Sequence, residues 1–154
     1  MIRPATRKDA QDVADLAVDS RLFTADDAGI VTTMMADYFG SNSDQNHLCV
    51  IDEDDELLAV AYYQAAPATD RTWYLTMIAV RPSRQGQGHG ATLLRHVEDD
   101  LRARGQRMLL VQTSGLPTFR RARAFYERCG YEQEARARDY YESGDDMILF
   151  RKAL

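Results

Sequence analysis

Gly86, Gly88 and Gly90 alternate along the chain between an aromatic and β-branched stretch, 73–80, and a run of leucines. Without Cβ atoms, such a segment lets a ligand approach the main chain and lets successive N–H groups point one way. Leu93, Leu94, Val97 and Leu101 follow at helical spacing, so the glycine turn precedes a helix N-terminus. Unpaired N–H groups and a partial positive charge make that terminus an anion site. The chemistry predicted here is phosphate binding. Three patterns compete for it. The Walker pattern fails, because no Lys-Ser or Lys-Thr follows any glycine. Gly86, Gly88 and Ala91 satisfy the dinucleotide fingerprint Gly-x-Gly-x-x-Gly/Ala. Residues 81–85, however, separate the strand from the glycines, and the next strand ends in Gln112 and Thr113 rather than an acid. The third pattern, Gln/Arg-x-x-Gly-x-Gly/Ala, is met by Gln85, Gly88 and Gly90 after Val80-Arg81-Pro82. A plain strand-to-helix turn is the bland alternative, at a backbone entropy cost of about 0.5–1 kcal/mol per glycine.

A second chemical stretch runs Ala122-Arg123-Ala124-Phe125-Tyr126-Glu127-Arg128-Cys129-Gly130-Tyr131. By residue type alone, Tyr126 is either a core aromatic beside Phe125 or a phenol that moves a proton. Taken together, the two stretches resemble the two signatures of the GNAT acetyltransferase superfamily, Gln/Arg-x-x-Gly-x-Gly/Ala and Ala-x-x-Phe-Tyr-Glu-x-x-Gly-Phe. They have the spacing that family shows and cover residues 73–131. Gln112-Thr113-Ser114, Arg138-Asp139-Tyr140-Tyr141 and Gly144-Asp145-Asp146 resemble one branch of it.

The resemblance implies a mixed α/β GNAT fold over residues 1–154 as a single domain. It has a central twisted mixed sheet of about six to seven strands, flanked by four helices. It implies an N-acetyltransferase that moves an acetyl group from acetyl-coenzyme A to a primary amine of a small molecule or peptide by direct attack. The co-substrate would lie in a V-shaped opening between the strand ending at Val80 and the strand ending at Thr113. Backbone at Ile78, Ala79 and Val80 would pair with the pantetheine. Gln85, Gly86, Gln87, Gly88, His89, Gly90 and Ala91 would hold the diphosphate, with Arg84 beside them. Tyr126 would protonate the leaving thiolate as a general acid. Many relatives carry Asn seven residues before this tyrosine. Phe119 stands there, so that polar contact is absent or supplied by Ser114. The strand 73–78 carries no acid, which leaves the general base open. Asp139, Asp145 and Asp146 are either that base or solvated turn acids. A non-catalytic acyl-coenzyme A sensor on the same fold is the alternative function, and a homodimer is open, since many relatives pair.

The 24 acids against 19 bases give a net charge of −5, which argues against nucleic-acid binding through bulk charge. Cys49 and Cys129 have no metal-ligand spacing and are expected as reduced thiols in a cytoplasmic chain. No metal is expected. The first residues lack an apolar signal region, and the longest apolar run, near 57–63, is too short to span a bilayer. Asp52-Glu53-Asp54-Asp55-Glu56 lacks the calcium-loop glycine and is expected as a solvated hairpin tip.

These sites must be positioned by an ordered set of elements. A strand at 2–3 leads to a helix over 7–20, capped by Thr6 and Asp9, with a stripe of Ala10, Val13, Ala14, Ala17 and Val18. Thr24 and Asp27 cap a second helix marked by Ile30, Met34, Met35 and Phe39 and ended by Gly40. After a polar linker at 41–46 come strands at 47–51, 57–66 and 73–80. The helix after the glycine loop runs to 104, and Gly105 ends it. Strand 108–113 follows; parallel pairing is placed within 73–113. Thr118 caps a last helix with the stripe Phe119, Ala122, Phe125 and Cys129, and Gly130 supplies its left-handed stop. A hairpin of 131–138 and 147–151 closes the chain. Arg120, Arg121, Arg123 and Arg128 read as a solvated face. His89 reads as a partly exposed loop residue or a phosphate contact, and His47 and His96 as structural or surface residues. Tyr38, Tyr140 and Tyr141 read as acceptor-pocket walls or rim residues.

Overall fold

The computed structural model describes residues 1–40 and 45–154, so most of the expected linker lies outside the described residues. The strands are β1 (Ile2–Pro4), β2 (His47–Asp54), β3 (Glu56–Ala65), β4 (Thr72–Val80), β5 (Met108–Ser114), β6 (Glu132–Glu142) and β7 (Asp145–Ala153). Among the described residues these seven form one sheet in the order β1-β2-β3-β4-β5-β7-β6. The described α-helices are α1 (Ala10–Asp19), α2 (Ala28–Gly40), α3 (His89–Ala103) and α4 (Arg120–Arg128). β4 and β5 are parallel, as placed from sequence, and their neighbours are antiparallel.

Each sheet face carries its own core. Val13, Leu16 and Ala17 of α1 and Val31 and Met35 of α2 pack on Ile51, Val60 and Tyr62. Leu93, Leu94, Val97 and Leu101 of α3 pack with Tyr126 on the other face, against Ala61, Leu75, Leu109 and Phe150. Apolar side chains at i, i+3, i+4 and i+7 lie along one helix stripe, so the leucine spacing alone selects the buried face of α3. In α1, Leu16 replaces Val18 on the buried stripe. In α2 the buried stripe is Val31 and Met35, four residues apart on the face that meets the sheet, and Ile30 is left exposed. Thr24 does cap the 3₁₀ turn Ala25–Asp27, its hydroxyl accepting from the Asp27 N–H at 3.2 Å.

A bulge decides how β4 serves both layers. Tyr62 pairs with Met77 and Tyr63 with Leu75, leaving Thr76 as the extra residue. Before it, Trp73 and Leu75 face the α3–α4 core; after it, Met77 and Ala79 face the α1–α2 core. Ile78 and Val80 therefore turn toward α3 and α4.

The acidic run is corrected. β2 continues through Asp54 and β3 begins at Glu56, so only Asp55, at φ +62°, forms the tip. Asp52 is buried, with its Oδ2 3.3 Å from His89 Nδ1. Arg3 Nε donates to Glu53 Oε1 at 2.6 Å. Cations from distant elements convert what reads as a solvated turn into strand.

Arg3 also forks onto both oxygens of Asp9, at 2.9 and 3.0 Å, while Asp9 Oδ2 accepts the Thr6 N–H at 2.7 Å. The Arg3 guanidinium holds the Asp9 carboxyl down to about 2. A depressed carboxyl contributes stability that is present above its unfolded value, about 3.9, and is lost as pH falls toward the folded one. Asp9→Asn is expected to cost about 1–2 kcal/mol at pH 7 and to flatten the loss of stability below pH 4, read by urea unfolding across pH. Equal stability of both proteins at pH 7 would contradict this.

Candidate active site

The parallel ladder between β4 and β5 runs from Thr72↔Met108 to Leu75↔Val111 and stops there. Beyond it the strands diverge, so one edge of 76–80 has no ladder partner. β4 stays paired to β3 on its other edge through Val80, and β5 stays paired to β7 through Ser114. The gap opens into a cleft of about 1070 Å³. Its walls come from β4, β5, the glycine loop, α3, α4 and the α1–α2 connection at Ser20, Arg21 and Leu22. Because α1 and α2 cover one face of the sheet and α3 and α4 the other, the cleft joins the two faces where the sheet splits.

Of the residues singled out for phosphate and pantetheine, Ile78, Ala79, Val80, Arg84, Gln85, Gly86, Gly88, His89, Gly90 and Ala91 all border this cleft. Gly86 and Gly88 hold φ of +76° and +89°, the left-handed region open to glycine. Gly88 is the N-cap of α3, which begins at His89, inside the loop. A Cβ on Gly90 would press Phe125 and Val80 at 3.4 Å, so the helix start sits tight against the cleft wall. His89 is the first residue of the helix rather than a free loop residue, its Nδ1 held by Asp52. Gln87 and Ser114 lie outside the wall. The Gln87 amide donates to the Ser83 carbonyl at 3.4 Å. Ser114 is buried, its hydroxyl donating to Asp145 and accepting from the Leu116 N–H at 3.1 Å.

Tyr126 borders the cleft from α4 and is 7% exposed. Its ring lies among Phe125, Phe150 and Tyr131, with centroids at 5.3, 5.6 and 6.0 Å. Its hydroxyl has no hydrogen-bond partner among the described residues, yet is not sealed from solvent. Burial raises its proton affinity above that of an ordinary phenol, so it stays protonated at neutral pH.

The apolar stripe of α4 serves both the core and the cleft: Phe119, Ala122, Phe125 and Cys129 are half-buried in the cleft wall, and the last three also pack against the α3–α4 core. Thr118 is no cap; it lies inside the 3₁₀ turn Pro117–Phe119, which proline at its first position starts. The arginines part company. Arg121 borders the cleft, its Nη2 3.6 Å from where a Gly86 Cβ would stand. Arg123 donates to the carbonyls of Ser114 and Leu116 at 2.7 and 2.9 Å, fixing the turn after β5.

Cleft charge was not read from sequence. Arg21, Arg84, Arg95, Arg121, Arg128 and Lys152 border it, against one carboxylate, Glu98. Glu98 is itself buried and satisfied: Lys152 Nζ donates to Oε1 and Tyr131 Oη to Oε2, both at 2.8 Å. A chain of net charge −5 thus concentrates positive potential where an anion would bind.

The hairpin acids lie elsewhere. Asp145 holds Ser114; Asp146 accepts from Arg136 and from the Asp139 N–H; Asp139 accepts from the Gly144 N–H. Tyr140 and Tyr141 are exposed and pack on each other at 4.9 Å, outside the cleft. Tyr38 packs on Phe39 and Tyr62. His47 Nδ1 lies 2.9 Å from the Tyr62 hydroxyl, and His96 is exposed. Both cysteines are free thiols, and burial pushes Cys49 up to about 12, which makes it unreactive. No helix among the described residues is long and apolar enough to cross a membrane.

The acetyltransferase (GNAT) family matches residues 11–131. A crystal structure of a GNAT-family protein from Desulfovibrio desulfuricans is 33% identical, with a TM-score of 0.93 over 99% of this chain and 98% of that one. The ribosomal-protein-S18-alanine N-acetyltransferase from Escherichia coli shares the fold at 24% identity, with a TM-score of 0.77 over 99% of this chain and 92% of that one. An aminoglycoside 6'-N-acetyltransferase complexed with coenzyme A shares it at 19% identity, with a TM-score of 0.79 over 99% and 96%. Among curated proteins none shows significant similarity to this chain. With the split sheet, the glycine loop and the match over most of its length, this chain belongs to the GNAT acetyltransferase family.

Proposed function

We propose that this chain is an N-acetyltransferase that passes the acetyl group of acetyl-coenzyme A to a primary amine of a small molecule or peptide. What carries the reading is one cleft that brings together, through a gap in the sheet, a glycine-rich helix terminus and a buried phenol with no hydrogen-bond partner among the described residues. The residues present fit the co-substrate. The free edge of 76–80 suits the amides of a pantetheine arm, and the left-handed backbone at Gly86 and Gly88 suits close approach of a diphosphate. Arg84, Arg121 and their neighbours supply charge for it.

When bound, acetyl-coenzyme A supplies the activated acyl carbonyl. Backbone at Ile78, Ala79 and Val80 aligns the arm; N–H groups from Gln85 to Ala91 hold the diphosphate at the positive end of α3. Gln87 takes part through its main chain alone. Ser114 would reach the arm only by releasing Asp145. The amine enters from the α1–α2 side and attacks the carbonyl; the C–S bond breaks, the thiolate leaves with the proton of Tyr126, and the proton shed by the new amide nitrogen passes to water, from which Tyr126 is reprotonated. Burial keeps Tyr126 protonated until a thiolate forms beside it, and a thiolate in the same low-dielectric cleft is itself disfavoured and takes the proton. Glu98 is already paired with Lys152, so among the described residues the cleft carries no free carboxylate to deprotonate the amine; that proton goes to water or is lost before binding.

The reading is tested by free-thiol release from acetyl-coenzyme A over an amine panel. Amine-dependent release supports it. Binding without release would make the protein an acyl-coenzyme A sensor, and absence of binding by calorimetry removes both readings. The loop has its own test. Gly88→Val places a β-branched residue at φ +89°, strain of about 1–3 kcal/mol that the loop relieves by moving. The expected result is a coenzyme A Kd weaker by about 10-fold or more at unchanged core stability, since nothing lies within 4 Å of the added Cβ. An unchanged Kd would show that the loop does not grip the ligand.

A further inference from the structure

We infer that the acceptor amine also carries an anionic group, of the carboxylate class, and that Arg21 recognises it. The inference rests on the acetyltransferase reading above. Of the cationic groups on the α3–α4 side of the cleft, Lys152 is held by Glu98, and Arg84 and Arg121 beside the glycine loop answer to the phosphates of the co-substrate. Arg21 does not share that side. It belongs to the connection after α1, on the opposite face of the sheet, where the acceptor would enter. Its backbone is anchored: the Arg21 N–H donates to the Val18 carbonyl at 2.9 Å, and the Ser20 N–H donates to that of Leu16 at 2.9 Å. Its φ of +62° is unusual for a residue with a side chain. The guanidinium is exposed and has no ion pair or hydrogen bond among the described residues.

The surrounding charges leave Arg21 available. No Asp or Glu of the α1–α2 connection borders the cleft; Asp19, Asp26 and Asp27 stand near Arg21 in sequence but none forms an ion pair with it, and Asp27 is bonded to the Thr24 hydroxyl at 2.9 Å. Glu98 lies on α3 and is already paired. A polycationic acceptor would therefore meet a fixed positive charge and no carboxylate to offset it. A small amine bearing a carboxylate would meet a planar fork that binds carboxylates in bidentate fashion. Leu22 and Met77, also in the cleft wall, offer an apolar surface for the carbon skeleton between the two groups.

The test compares amino acids with their carboxamides as acceptors, for the native chain, Arg21→Gln and Arg21→Lys. The native chain is expected to favour each acid over its amide by about tenfold or more in kcat/KM. In Arg21→Gln that ratio falls to about one, and Arg21→Lys restores part of it. A calorimetric arm titrates the preferred amino acid into protein saturated with coenzyme A; its heat is expected for the native chain and absent for Arg21→Gln. A native ratio of one or below, or an equal fall for acid and amide in Arg21→Gln, overturns the inference. Turnover of carboxamides or polyamines alone removes this inference and leaves the acetyltransferase reading standing. Absence of acetyl-coenzyme A binding removes both.

Discussion

Tyr126→Phe is expected to lower kcat about 100- to 10,000-fold, the range for loss of a positioned general acid, and to leave the coenzyme A Kd and the melting temperature close to native. The substitution deletes one oxygen that makes no hydrogen bond among the described residues. No partner is orphaned, and the ring keeps its contacts with Phe125, Phe150 and Tyr131. Stability and binding therefore separate from chemistry in this variant. A role in proton donation has a further signature. An acyl thioester with a more acidic thiol leaves without help, so the variant loses less on that substrate than on acetyl-coenzyme A. Turnover equal to native, or an equal loss on both thioesters, removes Tyr126 from the chemistry.

Lys152→Met is expected to destabilise the protein by about 2–3 kcal/mol, because it takes the ammonium, itself partly exposed, from a carboxylate that is buried. Glu98 is 4% exposed and sits inside the α3–α4 layer. Lys152 reaches it from β7 and also donates to the Cys129 carbonyl at 2.8 Å, closing the end of α4. Tyr131 completes the set, with Lys152 Nζ 5.3 Å from the centre of its ring. With Lys152 gone, the carboxylate keeps a phenol and a distant Arg102, at 3.7 Å, in place of a close ammonium. The double variant Glu98→Gln with Lys152→Met removes both charges and recovers part of the loss. Urea unfolding of the two singles and the double closes the cycle. A single-variant cost below about 1 kcal/mol, typical of an exposed pair, would contradict the cluster as a buried tie.

Residue spacing made some parts of this molecule legible because their causes are local. A positive φ is a property of one residue, so the left-handed backbone at Gly88 and the stop at Gly130 are visible in single letters. The helical repeat of Leu93, Leu94, Val97 and Leu101 names its own buried face. The stripe Phe119, Ala122, Phe125 and Cys129 names an apolar face of α4, but periodicity does not say that this face is shared between core and cleft, and it misses Tyr126, the buried residue of the helix.

Other features depend on partners far along the chain. Asp52 looks like one acid in a solvated run, and its burial requires His89, 37 residues away, to be brought beside it. Arg121 and Arg123 stand two positions apart on one helix. One borders the cleft, while the other binds carbonyls of the turn after β5; their residue type is the same. The bulge at Thr76 is set by the register between β3 and β4, which no local pattern in β4 records.

The amino-acid sequence by itself determined the family, the glycine-lined helix terminus and the identity of the candidate proton donor, because these rest on backbone freedom and residue chemistry within short stretches. Only the tertiary structure decided which charges border the cleft, that β4 changes face at Thr76, and that Arg21, unpaired among the described residues, joins the cleft wall from the α1–α2 connection. Those facts arise where elements distant in sequence meet, and burial and charge pairing are settled at such meetings.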